Sequence, residues 1–271
     1  MYAGSSDQPT PVTLRTLQSR KTAGEKIVAL TAYDASFGAL LDANGVDFVL
    51  VGDSLGNVVQ GLPTTLPVTV DDMVYHCKAV ARGVRRAMLA VDLPFASYRD
   101  PVTAFDNAAR LMQAGAAIVK LEGAGHVLEV IHYLRERDIP VCAHLGLTPQ
   151  SVHAIGGYKV QGREPAAAEK LRADALACQE AGAGIVLFEM VPAALAGEIT
   201  KSLTVPTIGI GAGVECDGQI LVCYDMIGLT PGKRPRFALN FLAGRDSLAG
   251  AVRAYADAVR ARTYPSAEQS Y

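Results

Sequence analysis

Short apolar runs alternate with helix-like stretches along the whole sequence, and this alternation constrains the fold more than any other feature. The runs are too continuous for half-exposed strands and are typical of parallel strands covered by helices. They comprise residues 27–34, 47–54, 87–94, 117–123, 139–147, 184–190, 205–213 and 221–228. Eight strand–helix units within about 250 residues predict an α/β fold of the (β/α)₈ (TIM) barrel type.

An open, doubly wound sheet is the alternative architecture. Such a sheet normally has a Gly-rich phosphate-binding turn after its first strand, whereas TAYDASF follows the first strand here. We find no linker or low-complexity tract, so residues 1–271 are expected to form one barrel domain. A short helix is expected over 14–20, before strand one, and a C-terminal helix over 238–262.

Composition excludes several classes of protein. The formal net charge is −2 without any Lys/Arg-rich run, which argues against a nucleic-acid partner. No apolar run approaches the roughly 20 residues of a membrane span, and MYAGSSDQPTPV lacks the pattern of a secretion signal. The five cysteines are odd in number and none are spaced as CxxC, so we interpret them as buried hydrophobes of a cytoplasmic protein.

Acidic residues gather at the carboxyl ends of the expected strands, where the active sites of (β/α)₈ barrels lie. These residues are Asp34, Asp53, Asp92, Glu122, Glu189 and Asp225. The opposite ends of the strands are apolar. This one-sided distribution predicts a functional site at one mouth of the barrel.

Carboxylates crowded at one mouth repel one another and resist desolvation, and a bound cation removes the difficulty. Asp53, Asp92 and Glu122 lie at matching depths on three consecutive strands. Oxygen ligands suit a hard ion, Mg²⁺ first, with Mn²⁺ and Ca²⁺ as alternatives. Structural alternatives stay open: Asp53 as a helix cap, and Asp34 and Asp225 as caps or ion-pair partners.

A hard metal beside a lysine and an isolated carboxylate suits chemistry on a 2-oxo acid. The metal polarises the keto group, and Lys120 with the backbone at Asp53 and Ser54 neutralises the substrate carboxylate. Glu189 can then remove the proton beside the carbonyl. Lys120 and Glu122 share one side of their strand, so a plain ion pair is the alternative for them, and a core position is the alternative for His144.

At these residues the chain resembles the ketopantoate hydroxymethyltransferase family, from about residue 14 to 228. The matching strings are LTAYDASFGALLDANGVDFVLVGDSLGNVVQG, TTLPVTVDDMVYHCKAV, DLPF, VKLEG, HLGLTPQSVHAIGGYKVQGR and IGIGAG. The string at 144–163 is long and specific. One departure is Tyr224, where the family pattern has His before Asp.

The resemblance implies a barrel of the phosphoenolpyruvate/pyruvate type that binds Mg²⁺. The implied reaction moves a hydroxymethyl group from 5,10-methylenetetrahydrofolate to 3-methyl-2-oxobutanoate through a Mg-stabilised enolate. The product is 2-dehydropantoate, an intermediate of pantothenate and coenzyme A biosynthesis. The family also implies a homo-oligomer, a decamer.

The resemblance also implies roles for individual residues. Asp53, Asp92 and Glu122 would hold the metal, and Glu189 would accept the proton. The residues touching the 2-oxo acid would be Asp53, Ser54, Asp92, Lys120 and His144. Two alternatives stand beside the transferase. One is a C–C or P–C lyase or mutase on the same barrel, although loop 148–163 lacks the Cys such enzymes often use. The other is a metabolite-binding barrel without catalysis.

Overall fold

The computed structural model describes residues 10–230 and 234–271. Eight parallel strands follow one another in chain order, and β8 pairs with β1 to close a barrel. The strands are β1 Ile27–Thr31, β2 Phe48–Val51, β3 Met88–Asp92, β4 Ile118–Glu122, β5 Val141–Gly146, β6 Ile185–Glu189, β7 Thr207–Ile210 and β8 Gly218–Leu221. The predicted (β/α)₈ fold is confirmed.

Helices follow the strands. They are α1 Leu14–Ala23, α2 Ala35–Ala43, α3 Leu55–Val58, α4 Val70–Gly83, α5 Pro101–Gln113, α6 Val127–Arg135, α7 Val152–Ile155, α8 Pro165–Ala181, α9 Ala193–Ser202, α10 Cys223–Met226 and α11 Leu248–Arg260. The carboxylate of Asp34 accepts a hydrogen bond from the Phe37 N–H at 2.8 Å, which caps α2. The interpretation of Asp34 as a helix cap is therefore confirmed.

The prediction for strand eight is wrong. We expected it at 221–228, but β8 ends at Leu221, and Tyr224 and Asp225 lie in α10. A short buried helix and a buried strand both appear as a continuous apolar run, so periodicity cannot distinguish them. The true strand begins at Gly218, where only glycine fits, because a Cβ there would lie 2.7 Å from the Cβ of Ile27 on β1.

The C-terminal helix also begins later than the predicted residue 238. It spans Leu248–Arg260, because the Ser247 side chain accepts a hydrogen bond from the Gly250 N–H at 3.1 Å and caps the helix there. Tyr255 of this helix donates to the carbonyl oxygens of Ala29 at 3.0 Å and Gln219 at 2.9 Å. Helix α11 therefore covers the seam where β1 meets β8.

The barrel strands are almost entirely buried, as the continuous apolar runs predicted. All five cysteines are buried and unpaired, which confirms their interpretation as small hydrophobes. Within residues 10–230 and 234–271, no helix has the length and apolar composition needed to cross a membrane. The expectation about a secretion signal concerns mainly residues 1–9, which lie outside the described residues.

Candidate active site at the barrel mouth

A cavity of about 740 Å³ opens at the carboxyl ends of the strands. Its lining contains every site residue predicted from the sequence, namely Asp53, Ser54, Asp92, Lys120, Glu122, His144 and Glu189. The fold therefore brings the whole predicted set to one place.

Strand register explains why these side chains meet. Asp92 is paired with Lys120 across β3 and β4, and Glu122 with His144 across β4 and β5. Gly146 is paired with Glu189 across β5 and β6. A Cβ on Gly146 would lie 2.4 Å from the backbone oxygen of Glu189, and its φ is +90°. Only glycine permits so close an approach beside the candidate base.

The buried ammonium of Lys120 is held mainly by Asp92. Its Nζ lies 2.9 Å from Oδ1 of Asp92 and 3.9 Å from Oε1 of Glu122. Burial acts to lower the pKa of Lys120, but the carboxylates of Asp92, Glu122 and Asp53 outweigh burial and raise it. Lys120 is therefore a fixed cation, and a simple Lys120–Glu122 pair does not describe the geometry.

His144 connects the acidic cluster with Glu189. Its Nδ1 lies 3.2 Å from Oε1 of Glu122 and 3.3 Å from Nζ of Lys120, and its Nε2 lies 3.4 Å from Oε2 of Glu189. Burial and Lys120 lower the pKa of His144, but the hydrogen bonds to Glu122 and Glu189 raise it to about 8. The imidazole is thus largely protonated at neutral pH.

The two aspartates are poorly stabilised as anions. Burial raises the pKa of Asp53 well above its usual range, and the charges of Asp92 and Glu122 raise it further. Burial also raises the pKa of Asp92, although Lys120 opposes the shift. For Glu122, burial is outweighed by His144 and Lys120, and its pKa is lowered. The cluster therefore has acidic charge that its own cations do not fully compensate.

The donor set fits a hard divalent cation. Oδ1 of Asp92 and Oε1 of Glu122 are buried carboxylate oxygens whose close contacts are cationic side chains, Lys120 at 2.9 Å and His144 at 3.2 Å. Within those residues, no three His, Cys, Asp or Glu side chains already converge as a complete metal-binding group. Mg²⁺ usually takes only one or two protein carboxylates and completes its coordination with substrate and water oxygens. The residues present are compatible with that mode.

Asp53 and Ser54 follow β2 and face different partners. The Asp53 N–H donates to Oδ2 of Asp92 at 3.0 Å, and its carboxylate accepts from the Gln150 side chain. The helix-cap alternative for Asp53 is therefore wrong. The Ser54 hydroxyl lies 2.9 Å from the hydroxyl of Tyr33, which fixes its position.

The amino-acid sequence did not lead us to two residues of the site. Gln150 and Tyr98 are buried beside the acidic cluster, and the Tyr98 hydroxyl donates to Oε1 of Gln150 at 2.5 Å. The only available signal was that Gln150 lies inside the specific string at 144–163. Tyr224, where the sequence departs from the family pattern, packs against the rings of Tyr33 and Phe37 at 5.7 and 5.8 Å between centroids.

A closed (β/α)₈ barrel with carboxylates, a lysine and a histidine buried at its carboxyl-end mouth defines the class of protein, a barrel enzyme. Solved structures agree on the fold. Phosphonopyruvate hydrolase in complex with oxalate and Mg²⁺ matches with a TM-score of 0.60 at 15% identity, covering 77% of this chain and 80% of its own. Oxaloacetate acetylhydrolase with its product oxalate matches with a TM-score of 0.59 at 15% identity, covering 94% and 98%.

Sequence relatives identify the family. The family model for ketopantoate hydroxymethyltransferase matches residues 11–267. Proteins named 3-methyl-2-oxobutanoate hydroxymethyltransferase from Ralstonia pickettii and Xylella fastidiosa are 58% identical over 260 residues and 60% identical over 262, each covering 96% of both chains. One from Burkholderia cenocepacia is 55% identical over 270 residues, covering 100% of this chain and 99% of its own. The chain belongs to the ketopantoate hydroxymethyltransferase family and is a transferase.

Proposed function

We propose that this enzyme transfers a hydroxymethyl group from 5,10-methylenetetrahydrofolate to 3-methyl-2-oxobutanoate, giving 2-dehydropantoate for pantothenate and coenzyme A biosynthesis. The names of its relatives support this reaction. The observation that carries the proposal is the position of Glu189, a half-buried carboxylate 3.4 Å from His144 and next to the Asp53–Asp92–Lys120–Glu122 cluster.

Mg²⁺ would be held at the cluster of Asp53, Asp92 and Glu122, by one or two of these carboxylates directly and by the rest through water. When bound there, the ion supplies Lewis-acid polarisation of the keto group of the substrate. The buried acidic charge supports this assignment, since burial raises the pKa of both Asp53 and Asp92 and a bound cation would relieve that cost.

The carboxylate of the 2-oxo acid would be bound by Lys120, His144 and the segment at Asp53 and Ser54. Lys120 is a permanent cation, and His144 is largely protonated at neutral pH because its pKa is about 8. Because these two buried cations lie beside the acidic cluster, they can bind the substrate carboxylate, which the carboxylates alone would repel.

Glu189 accepts the proton from C3 of the substrate. That carbon carries two methyl groups and one weakly acidic hydrogen, so a positioned base is required. The C3–H bond breaks, Glu189 takes the proton, and the electron pair left on the substrate forms the new C–C bond to the methylene carbon of the folate. Both C–N bonds of that carbon break and water provides the hydroxyl group. The proton from C3 and the second proton of water go to the two folate nitrogens, and tetrahydrofolate leaves. Nε2 of His144 lies 3.4 Å from Oε2 of Glu189, so the charge of the imidazole acts on the base.

The cavity has space for both substrates. About 740 Å³ exceeds the needs of a five-carbon acid and falls within the range of sites that bind larger ligands. We further propose that the enzyme works in the cytoplasm as a homo-oligomer, as the family resemblance implies, with sedimentation analysis as the test.

The decisive assay measures exchange of the C3 proton in D₂O together with product formation. We expect exchange to need only the 2-oxo acid and Mg²⁺, whereas 2-dehydropantoate appears only when 5,10-methylenetetrahydrofolate is also present. Failure to form product with all three components would refute the transferase. Unchanged exchange in Glu189→Gln would remove Glu189 as the base.

A further inference from the structure

The loop after β5 reaches the acidic cluster through Gln150. Its backbone N–H donates to Oε2 of Glu122 at 2.9 Å, and its side-chain Nε2 donates to Oδ2 of Asp53 at 2.8 Å. The same Nε2 also donates to the Leu93 carbonyl oxygen at 3.0 Å. Gln150 is 5% exposed, so these bonds form away from bulk water.

Tyr98 determines which way the Gln150 amide faces. Its hydroxyl donates to Oε1 of Gln150 at 2.5 Å and accepts from the Glu122 N–H at 3.3 Å. Because Oε1 faces Tyr98, Nε2 must face Asp53 and Leu93. Both protons of the amide are then used, and the opposite orientation would place Oε1 against a carboxylate and a carbonyl.

We propose that Gln150 is a positioning residue for the cation site. It binds Oδ2 of Asp53 and Oε2 of Glu122, and it thereby fixes the orientation of both carboxylates and leaves Oδ1 of Asp53 directed away from Gln150. This inference rests on the proposed use of Mg²⁺. Hydrogen bonds to ligating carboxylates orient them, and losing such a partner typically lowers metal affinity by about 10–100-fold.

The same bonds connect the cation site to one wall of the cavity. Gln150 lies in a single helical turn, Pro149–Ser151, that runs directly into α7, and Pro149 and Tyr158 of this segment line the cavity. A cation that orders Asp53 and Glu122 therefore also orders residues 149–158. Gln150 therefore connects this part of the cavity wall to the cation site by hydrogen bonds.

Gln150→Met tests the role of the amide. Methionine has similar length and lacks the amide, and the backbone N–H to Glu122 is retained. We expect this variant to bind Mn²⁺, used as the probe and followed by the EPR signal of the free ion, at least about 10-fold more weakly than the unaltered enzyme. Gln219→Met is the matched control, because Gln219 is also a buried glutamine but donates to the Gly213 carbonyl outside the cluster.

Tyr98→Phe provides a second test that keeps Gln150 in place. Losing the hydroxyl removes the donor to Oε1, and we expect Mn²⁺ affinity to fall several-fold. The free energy of unfolding without substrate should change by little more than it does in Gln219→Met. This variant keeps the proposal testable if Gln150→Met folds poorly.

Hydrogen exchange measured by mass spectrometry reports on the loop. Mn²⁺ should slow exchange of residues 149–158 in the unaltered enzyme and have a much smaller effect in Gln150→Met. If the unaltered enzyme binds no Mn²⁺, the metal assignment of the proposed function fails. If it binds Mn²⁺ but Gln150→Met binds equally well, or Gln219→Met loses as much affinity, only the role of Gln150 is overturned.

Discussion

Replacing Lys120 with methionine tests whether the acidic cluster needs a cation. Lys120 lies 2.9 Å from Asp92 and 3.9 Å from Glu122 and is almost fully buried. At an effective dielectric constant of about 20, these distances correspond to attractions of about 6 and about 4 kcal/mol. The net loss is smaller, because the lysine also no longer has to be desolvated. Removing one partner of a buried ion pair costs about 3–5 kcal/mol.

The loss of stability should depend on pH with a defined sign. Without Lys120, the pKa of Asp92 rises further above its ordinary value, so the folded variant binds a proton that the unfolded chain releases. Its free energy of unfolding should therefore recover, relative to the unaltered enzyme, as the pH falls from 7 towards about 4. Mn²⁺ should bind more tightly to Lys120→Met, because a competing positive charge is gone.

Urea denaturation in the presence of EDTA, at pH 7 and at pH 5, measures the loss of stability and its dependence on pH. Lys26→Met is the matched control, since Lys26 is a buried lysine that donates to the Val214 and Cys216 carbonyl oxygens instead of carboxylates. It should lose stability without changing Mn²⁺ affinity. A Lys120→Met variant as stable as the unaltered enzyme at pH 7 in EDTA would refute the reasoning.

Three further changes test other parts of the site. Glu189→Gln should lower the rate of C3 proton exchange by about 10²–10⁴-fold while binding of the 2-oxo acid, measured by calorimetry, is retained. His144→Gln should lose about 2 kcal/mol of unfolding free energy at pH 6, because the pKa of His144 in the folded protein, about 8, exceeds the ordinary histidine pKa of about 6.5. This deficit should shrink as the pH rises from 6.5 through 8 in denaturation curves, and a constant deficit would contradict the assigned protonation. Gly146→Ala should reduce kcat and the melting temperature together, since its Cβ would lie 2.4 Å from the Glu189 backbone oxygen; unchanged kinetics would show that the backbone there can move.

The amino-acid sequence by itself determined the architecture and the side of the barrel that carries the site. Parallel strands covered by helices require continuous apolar runs, and these are visible without coordinates. The alternation within IVKLEG placed Lys120 and Glu122 on one face because side chains in a strand alternate with a period of two. Such local periodicities depend on the backbone alone.

Tertiary structure decided the partners of these side chains. Lys120 meets Asp92 on the neighbouring strand more closely than Glu122 on its own, because strand register sets distances that spacing along one strand cannot. Register also placed β8 at Gly218–Leu221, since barrel closure at the β1–β8 seam depends on close approach of Gly218 to Ile27.

Gln150 is the clearest case of a role that only the folded chain reveals. It is distant in sequence from Asp53, yet it donates to that carboxylate at 2.8 Å and to Glu122 at 2.9 Å. Hydrogen bonds between separate loops follow from three-dimensional packing and carry no periodic signal. The sequence therefore indicated which residues carry the charge at the barrel mouth, and the tertiary structure decided how a neutral side chain holds those charges in position.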